Sequence, residues 1–159
     1  MRATRRNLLL VDTNLLFLLL VGSVALEQVE RFKRTRRYTP TDYALLVAFA
    51  GRFTQLVATP NVLTEVCNLL GQLGEPLRSE ALVAMSVLVR TEIQERLFPS
   101  REVVQEPNFV ALGLADSSIV LAADAPVTVL TDDLGLYHRM SAQHPYVVNF
   151  NHVRAESWR

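Results

Sequence analysis

Four acidic residues lie within or shortly after apolar segments of this sequence: Asp12, Glu65, Asp116 and Asp133. Their carboxylates could act together if the fold brings these positions close. An aspartate often caps a helix or fills a turn, and a cap contributes about 1 kcal/mol, so each aspartate alone has a structural explanation. Glu65 instead lies inside a predicted helix and shares the apolar face of Val62 and Leu69. A carboxylate on a core-facing stripe is costly unless a cation or donors compensate it. The alternative is a glutamate at the helix edge that reaches solvent.

Carboxylates that converge at one end of a sheet cannot all ionise without compensation. These acids come without a cluster of histidine or cysteine, and an all-oxygen ligand set suits a hard cation, Mg²⁺ or Mn²⁺. Such an ion can activate a water molecule and neutralise charge during phosphodiester cleavage. If the four acids converge, they therefore predict an acid-lined metal cleft that accepts phosphate.

Short apolar runs separated by helices must position these acids. The sequence predicts strands at residues 7–11, 55–58, 101–105, 127–130 and 146–150. Continuously apolar strands of this kind are typical of a parallel sheet covered on both faces. We therefore predict an α/β protein: a three-layer α/β/α sandwich with a central, mainly parallel sheet of about five strands, in one domain spanning residues 1–159. Ligands of such sheets bind beyond the carboxyl ends of the strands, where Asp12 and the pair Asp132 and Asp133 fall.

Helices are predicted between the strands, with ends marked by cap residues, proline and glycine. They span residues 13–21, 41–53, 60–73, 76–97, 116–123 and 134–143. Gly22 is predicted to stop the first helix, Thr41 to cap the second and Asp116 to start the fifth. The polar residues 27–40 are predicted to form a loop or a helix end, and residues 108–113 an irregular segment or a single turn.

Four segments resemble, in order, the motifs of the PIN domain family: LLLVDTNLL, TPNVLTEVCNLL, LGLADSSI and VLTDD. The resemblance spans residues 8–133, and the predicted final helix and strand also fit it. It implies a compact endoribonuclease with a parallel sheet that depends on one or two Mg²⁺ or Mn²⁺ ions. Many such proteins are toxins of bacterial toxin–antitoxin pairs and others process RNA. The implied partners are therefore an RNA substrate and, for a toxin, an antitoxin protein and a second copy in a homodimer.

Carried over by position, the resemblance assigns the catalytic and metal-binding roles to Asp12, Glu65, Asp116 and Asp133. The fourth acid of such proteins usually stands two residues after a threonine, here Thr131, which selects Asp133 and leaves the adjacent Asp132 as the alternative ligand. Thr13 and Asn14 match the polar residues that follow the first acid. Asn14 is expected to hold the Asp12 carboxylate by a hydrogen bond, and Thr131 to brace the site.

A basic cluster lies within residues 27–58, a long insert between the first two motifs. Its cations are Arg31, Lys33, Arg34, Arg36 and Arg37. They could clamp an RNA backbone through salt-sensitive contacts. The alternative is a charged surface loop that keeps the protein soluble. The chain carries 16 basic and 16 acidic residues, so a basic patch and an acidic cleft would cancel in the formal net charge.

Other features exclude several classes of site and location. Cys67 is the only cysteine, which excludes an internal disulfide and a cysteine-rich zinc module and fits a reducing compartment. Its position on an apolar helical face predicts a buried thiol. The histidines form no zinc-binding pair. Cations in residues 1–6 precede an apolar run that Asp12 interrupts, and the uninterrupted residues 15–26 are shorter than the roughly 20 apolar residues that a membrane span needs. We therefore expect a cytoplasmic protein with no membrane partner.

Two other functions stay open beside the nuclease. The first is a catalytically inactive PIN-like module that binds protein or RNA, although the presence of all four acids speaks against it. The second is a phosphatase of the haloacid dehalogenase type, because Asp12 ends a predicted strand. Such enzymes need a second aspartate two residues further on, where this sequence has Asn14, and Lys33 is its only lysine, so the phosphatase ranks last.

Overall fold

Five parallel strands form one sheet at the centre of the protein. The structure, a computed structural model, describes residues 7–124 and 126–158; the N-terminal arginines at the start of the apolar run lie outside the described residues. The strands are β1 (Leu8–Val11), β2 (Gln55–Ala58), β3 (Ile93–Glu95), β4 (Val127–Thr131) and β5 (Val147–Asn149). Helices flank this sheet, so the predicted α/β/α sandwich with a parallel sheet of five strands is confirmed.

Eight α-helices and one 3₁₀ helix connect the strands within the described ranges. The α-helices are α1 (Thr13–Val24), α2 (Pro40–Ala50), α3 (Pro60–Leu70), α4 (Leu77–Thr91), α5 (Ser100–Val103), α6 (Phe109–Ala122), α7 (Leu134–Ser141) and α8 (Phe150–Ser157). The 3₁₀ helix spans Leu26–Arg31 and begins the insert that carries the basic cluster. No helix in residues 7–124 or 126–158 combines the length and the apolar character needed to cross a membrane.

The strand order, β3-β2-β1-β4-β5, reverses direction at the two central strands β1 and β4. From β1 the chain adds β2 and β3 on one side, and later β4 and β5 on the other. Val11 pairs with Leu130, so the next residues, Asp12 and Thr131, lie side by side at the carboxyl ends of β1 and β4. Loops diverge at such a reversal and open a crevice beyond the carboxyl ends of the strands, which is where open α/β sheets bind ligands.

Two predicted helix boundaries near the insert are wrong. Gly22 does not stop α1, which continues to Val24. It lies against the ring of Tyr43 from α2, where an added Cβ would stand 2.3 Å from a ring carbon, so this glycine serves close packing. Thr39 rather than Thr41 caps α2: its hydroxyl accepts the backbone N–H of Asp42, and the Asp42 carboxylate accepts the Thr39 N–H in return.

The region after α4 also differs from its prediction. The predicted helix 76–97 ends at Thr91, and Ile93–Glu95 forms the edge strand β3, which pairs with Leu56–Ala58. Residues 101–105, predicted as a strand, belong to the helical turn α5 and the residues that follow it. Strand β3 has a single strongly apolar residue, Ile93, so it lacks the continuous apolar run that marks the other strands.

Helix α6 carries Asp116 and contains a sharp backbone change at Gly113. Residues 109–112 form a single helical turn, one of the two predicted outcomes, and the non-helical Gly113 separates this turn from the rest of α6. Asp116 lies inside the helix that follows and does not cap it as predicted. Gly113 adopts φ 76° and ψ −176°. This region of backbone space is essentially restricted to glycine. The glycine therefore sets the direction in which the part of α6 that bears Asp116 leaves the preceding turns.

Replacing Gly113 by alanine is expected to destabilise the protein by about 1–3 kcal/mol, because a Cβ makes this backbone conformation strained. Urea unfolding followed by circular dichroism measures the loss. Gly74→Ala is the matched control: no atom lies within 4 Å of its added Cβ and its φ is not positive, so its effect should stay within about 1 kcal/mol. Equal stabilities for the two variants would contradict a strain at Gly113.

The C-terminal helix α8 is tied to α2 by a buried ion pair. The predicted last strand, residues 146–150, ends at Asn149, whose side chain accepts the Asn151 backbone N–H and caps α8. From α8, Arg154 donates two hydrogen bonds of 2.9 Å, one to each carboxylate oxygen of Asp42. It also donates to the backbone oxygen of Arg37 at 3.0 Å. Helix α8, which was not predicted, thus holds both α2 and the end of the basic cluster.

Candidate metal centre

Asp12 follows β1 directly, and three donors fix its carboxylate. Oδ1 accepts the backbone N–H of Leu15 at 2.9 Å, which makes Asp12 the N-cap of α1. Oδ2 accepts the Thr131 hydroxyl and, at 2.9 Å, the backbone N–H of Asp132. Burial raises the pKa of Asp12 and the Asp132 charge raises it further; the three donors lower it, and the net direction is upward. A nearby cation would therefore stabilise the ionised form.

Asp132, the alternative ligand, is paired with a cation. Its side chain is buried, and its Oδ2 accepts from both the Arg37 guanidinium and the Tyr38 hydroxyl. Burial and the Asp132 charge raise the pKa of Tyr38, which keeps the phenol protonated as a donor. The Asn14 amide lies 3.5 Å from Asp132 Oδ1. The prediction that Asn14 holds Asp12 is therefore wrong, because Asp12 receives its donors from α1 and β4 instead.

Three further candidate acids, Asp116, Asp133 and Glu65, come from separate elements of the fold. Asp116 is half-buried on α6, and Asp133 caps α7 by accepting the Leu136 backbone N–H at 2.9 Å. Burial raises the pKa of Asp116 to about 6, and the charges of Asp133, Glu65 and Asp132 contribute to the rise. The Asp116 carboxyl group therefore lies within the electrostatic influence of the other three acids. The expected brace by Thr131 is also present, since its hydroxyl donates to Asp12 and accepts the Asp133 N–H at 3.0 Å.

Helix α3 places Glu65 on its flank and not on its buried face. Val62, Val66 and Leu69 are buried, whereas Glu65 is exposed. Three residues advance a helix by about 300°, so Glu65 lies about 60° short of Val62 and outside the buried stripe. The alternative of a solvent-reaching glutamate is therefore the correct one. The predicted burial of Cys67, on the opposite flank, is wrong as well, because this residue is exposed.

The cations of the insert divide into two groups. Arg37 pairs with Asp132, and Arg34 donates to the Asn14 side-chain oxygen at 3.3 Å. In the part of the chain that the structure describes, the side chains of Arg31, Lys33 and Arg36 make no hydrogen bond or ion pair. Sequence reasoning missed Tyr38; its signal is an aromatic residue that directly follows the basic cluster.

The donor set of the cleft fits a hard divalent cation. All candidate ligands are carboxylates, from Asp12, Asp116, Asp133 and Glu65. Beside two of them, the buried hydroxyls of Thr13 and Ser117 have no hydrogen-bond partner among the described residues, as expected of oxygens left for an ion or a water. As the side chains stand, no three acidic, histidine or cysteine residues in these ranges form a group that could hold an ion. Binding of an ion by three or more of these residues therefore requires some of their side chains to move.

A cavity of about 600 Å³ lies elsewhere, between α1, α2, α4 and the start of β2. Its lining is mainly apolar and includes Leu20, Tyr43, Val47, Val87 and Leu88. None of the candidate acids lines it. Asp12 and Asp132 lie elsewhere, at the carboxyl ends of β1 and β4.

A scan against protein-family models and a search of curated proteins found no match to this chain. The resemblance to the PIN family therefore depends on the four sequence segments quoted above. The assignment of function depends on those segments together with the arrangement of the acids.

Proposed function

We propose that this protein is an endoribonuclease of the PIN type, which hydrolyses RNA phosphodiester bonds with Mg²⁺ or Mn²⁺. The observation that carries the proposal is the crowding of acids at the reversal point of the sheet. There Asp12 is held by three donors, and the pKa of Asp116 is raised by burial and by its acidic neighbours. A half-buried carboxylate that lacks a donor among the described residues and lies near other acids, as Asp116 does, is suited to binding a cation at this place in the fold.

Asp12 and Asp116 would be the central ligands of one or two ions. Asp12 keeps a lone pair on Oδ1, because that oxygen accepts a single hydrogen bond. The Asp116 carboxylate accepts no hydrogen bond within residues 7–124 and 126–158. Asp133 has its second oxygen available beside the cap contact, and Glu65 is exposed and long enough to turn toward the cleft. A bound divalent ion would supply an activated water and charge neutralisation at the phosphate.

The chain's own residues keep the site in one geometry. Donors from Leu15, Thr131 and the Asp132 backbone orient Asp12 before any ligand arrives. Such preorganisation removes the reorganisation that the reaction would otherwise require. RNA as the substrate, an antitoxin as partner and a homodimer come from the family resemblance, and they belong to this proposal. A cytoplasmic location, expected from the interrupted N-terminal apolar run and the single cysteine, belongs to it as well.

A metal titration coupled to a cleavage assay tests the proposal. EDTA-treated protein is expected to bind Mn²⁺ in calorimetry and to cleave a panel of structured RNAs only after Mg²⁺ or Mn²⁺ is restored. Glu102→Gln is the control: this acid is exposed on α5, outside the cleft, and its loss should change neither result. Cleavage that persists in excess EDTA would contradict a metal-dependent mechanism. Mn²⁺ binding without cleavage would favour the inactive module.

A further inference from the structure

The basic cluster lies on a segment that repeats every three residues. Hydrogen bonds from the N–H of Thr35 to the oxygen of Phe32, and from Tyr38 to Thr35, close successive turns. The inward-facing side of the segment consists of residues at the same spacing, which are buried or half-buried: Val29, Phe32, Thr35 and Tyr38. A three-residue repeat aligns side chains at positions i and i+3. Between Phe32 and Tyr38 the exposed cations therefore form two rows: Arg34 and Arg37 in one, Lys33 and Arg36 in the other.

The first of these rows ends in the acid cleft. Arg37 contacts Asp132, and Arg34 contacts Asn14, the second residue after the first candidate ligand Asp12. In the described ranges, Lys33 and Arg36 of the second row contact neither residue. The two rows carry similar charge within one short segment, but only the first row has guanidinium groups at the edge of the cleft.

The Arg37 side chain is held in place, but most of its N–H donors remain available for a ligand. Its guanidinium makes one side-chain hydrogen bond within the described residues, to Asp132, and stands 5.0 Å from the ring centre of Tyr38. The arginine side chain is nevertheless 50% exposed. A guanidinium has five N–H donors, so four remain for a ligand. Tyr38 and Asp132 are both buried, and their contacts with the guanidinium hold this exposed cation at the surface.

Asp132 Oδ2 has both of its lone pairs occupied, by Arg37 and Tyr38. Oδ1 faces the Asn14 amide at 3.5 Å. The three donors of Asp12 are neutral, whereas Asp132 is paired with a guanidinium, so Asp132 is the poorer candidate for a metal cation. Asp132 instead holds the Arg37 guanidinium next to the acids. An approaching phosphate therefore meets a positive charge there, where it would otherwise be repelled by carboxylates alone.

Accepting the proposed function, we infer that Arg37 and Arg34 bind RNA phosphates next to the one that is cleaved, and that Asp132 and Tyr38 are positioning residues for Arg37 rather than metal ligands. The forked donors of arginine match the oxygens of a phosphate. The two guanidiniums offset the repulsion between the substrate backbone and the acid cleft. Lys33 and Arg36 contribute only to the general surface charge.

Binding of a short single-stranded RNA in EDTA, where no metal-dependent cleavage takes place, tests the phosphate contacts. Each lost contact should lower the slope of log affinity against log salt concentration by about 0.7. Arg34→Gln and Arg37→Gln are therefore each expected to lower the slope by that amount and to weaken binding several-fold. Lys33→Gln and Arg36→Gln, with the same charge change in the same segment, should leave the slope near that of the wild type. Equal effects of all four variants, or no effect of Arg34→Gln, would overturn the inference.

Removing Arg37 leaves the buried Asp132 without its cation and could prevent folding, so Arg37→Lys and Tyr38→Phe provide further tests. Lysine keeps the ion pair but loses the fork, and phenylalanine removes one donor that orients Asp132. Both variants should weaken RNA binding several-fold. For Tyr38→Phe the slope of log affinity against log salt concentration should stay that of the wild type. Wild-type affinity in both variants would contradict the positioning role.

Calorimetry with Mn²⁺ separates positioning from metal ligation. Asp132→Asn is expected to retain Mn²⁺ binding within a few-fold of the wild type and to lose RNA affinity, whereas Asp116→Asn should lose Mn²⁺ binding. Loss of Mn²⁺ binding in Asp132→Asn would make Asp132 a ligand and overturn its assigned role. A wild type that binds RNA through Arg34 and Arg37 but never cleaves it would contradict only the proposed function. Metal-dependent cleavage that is indifferent to both arginines would contradict only this inference.

Discussion

Asp116→Asn is expected to abolish metal-dependent cleavage and, in EDTA, to make the protein more stable than the wild type. These opposite effects have one cause. Asp116 is half-buried, accepts no hydrogen bond in the described part of the chain, and stands among Asp133, Glu65 and Asp132. Its ionised form is therefore unfavourable in the metal-free fold, as its pKa of about 6 indicates. Asparagine has nearly the same shape and removes the charge.

The expected loss of activity is large. A bound ion contributes several kcal/mol to stabilising the transition state, and each 1.4 kcal/mol or so is a factor of ten, so we expect a decrease of at least about 10³-fold in kcat/KM. The expected gain in unfolding free energy in EDTA is about 1 kcal/mol. This is less than the free energy that corresponds to the whole pKa shift, because the Asp116 carboxyl group is partly in solvent. Asp116→Asn is a cleaner variant than Asp12→Asn, since an amide at Asp12 cannot accept all three of its present donors.

Urea unfolding at neutral pH, with EDTA or with saturating Mn²⁺, measures both sides of this expectation. The wild type should gain stability with Mn²⁺, because an ion that binds only the folded state shifts the equilibrium toward it. The variant should show little gain, so that the order of stabilities reverses between the two conditions. Glu102→Gln removes a charge from exposed surface and should behave as the wild type. Unchanged cleavage by Asp116→Asn would remove this residue from the metal centre.

Local patterns were sufficient to predict the centre of the fold. The runs Leu8–Val11 and Val127–Thr131 are short and mainly apolar, and both are followed by aspartates. Strands of this kind are buried on both faces, and the carboxyl ends of parallel strands share one edge. The positions of Asp12 and Asp132 at that edge therefore follow from the sequence. Strand β3 does not, because an edge strand with the sequence IQE has no apolar run to mark it.

Contacts between distant parts of the chain could not be predicted in this way. Arg37 and Asp132 are separated by 95 positions, and nothing in either neighbourhood indicates the other. The basic cluster was identified from its composition, but composition does not tell which cations face the cleft. That division depends on the three-residue repeat of the segment and on the burial of Tyr38, both of which are properties of the folded chain.

Arg154→Met is expected to destabilise the protein by about 3–5 kcal/mol, the range found when one partner of a buried ion pair is removed. Asp42 is 1% exposed and would keep only the donors of Thr39. Burial alone would raise the pKa of Asp42, but the hydrogen bonds from Arg154 and Thr39 outweigh burial and lower it. Methionine preserves much of the side-chain volume, so the loss reflects the charge and its hydrogen bonds.

The pH dependence of this loss has a definite sign. A carboxyl group whose pKa is lowered by folding stabilises the fold above its ordinary value, 3.8 for Asp42, and ceases to do so as pH falls through the folded value. The difference in unfolding free energy between wild type and Arg154→Met should therefore be constant near neutral pH and shrink below about pH 4. A difference that grows on acidification would contradict the ion pair as its source.

Arg78→Met is the matched control, because Arg78 and Glu75 form an ion pair of 3.1 Å whose side chains are 45% and 57% exposed. Its loss should change the unfolding free energy by less than about 1 kcal/mol. Arg154 also donates to the backbone oxygen of Arg37 and lies 4.9 Å from the ring centre of Tyr38. Arg154→Met should therefore weaken RNA binding in EDTA even where the variant is fully folded, and Arg78→Met should not. Loss of the Arg154 side chain would then lower both the free energy of unfolding and the affinity of the Arg37 segment for RNA phosphates.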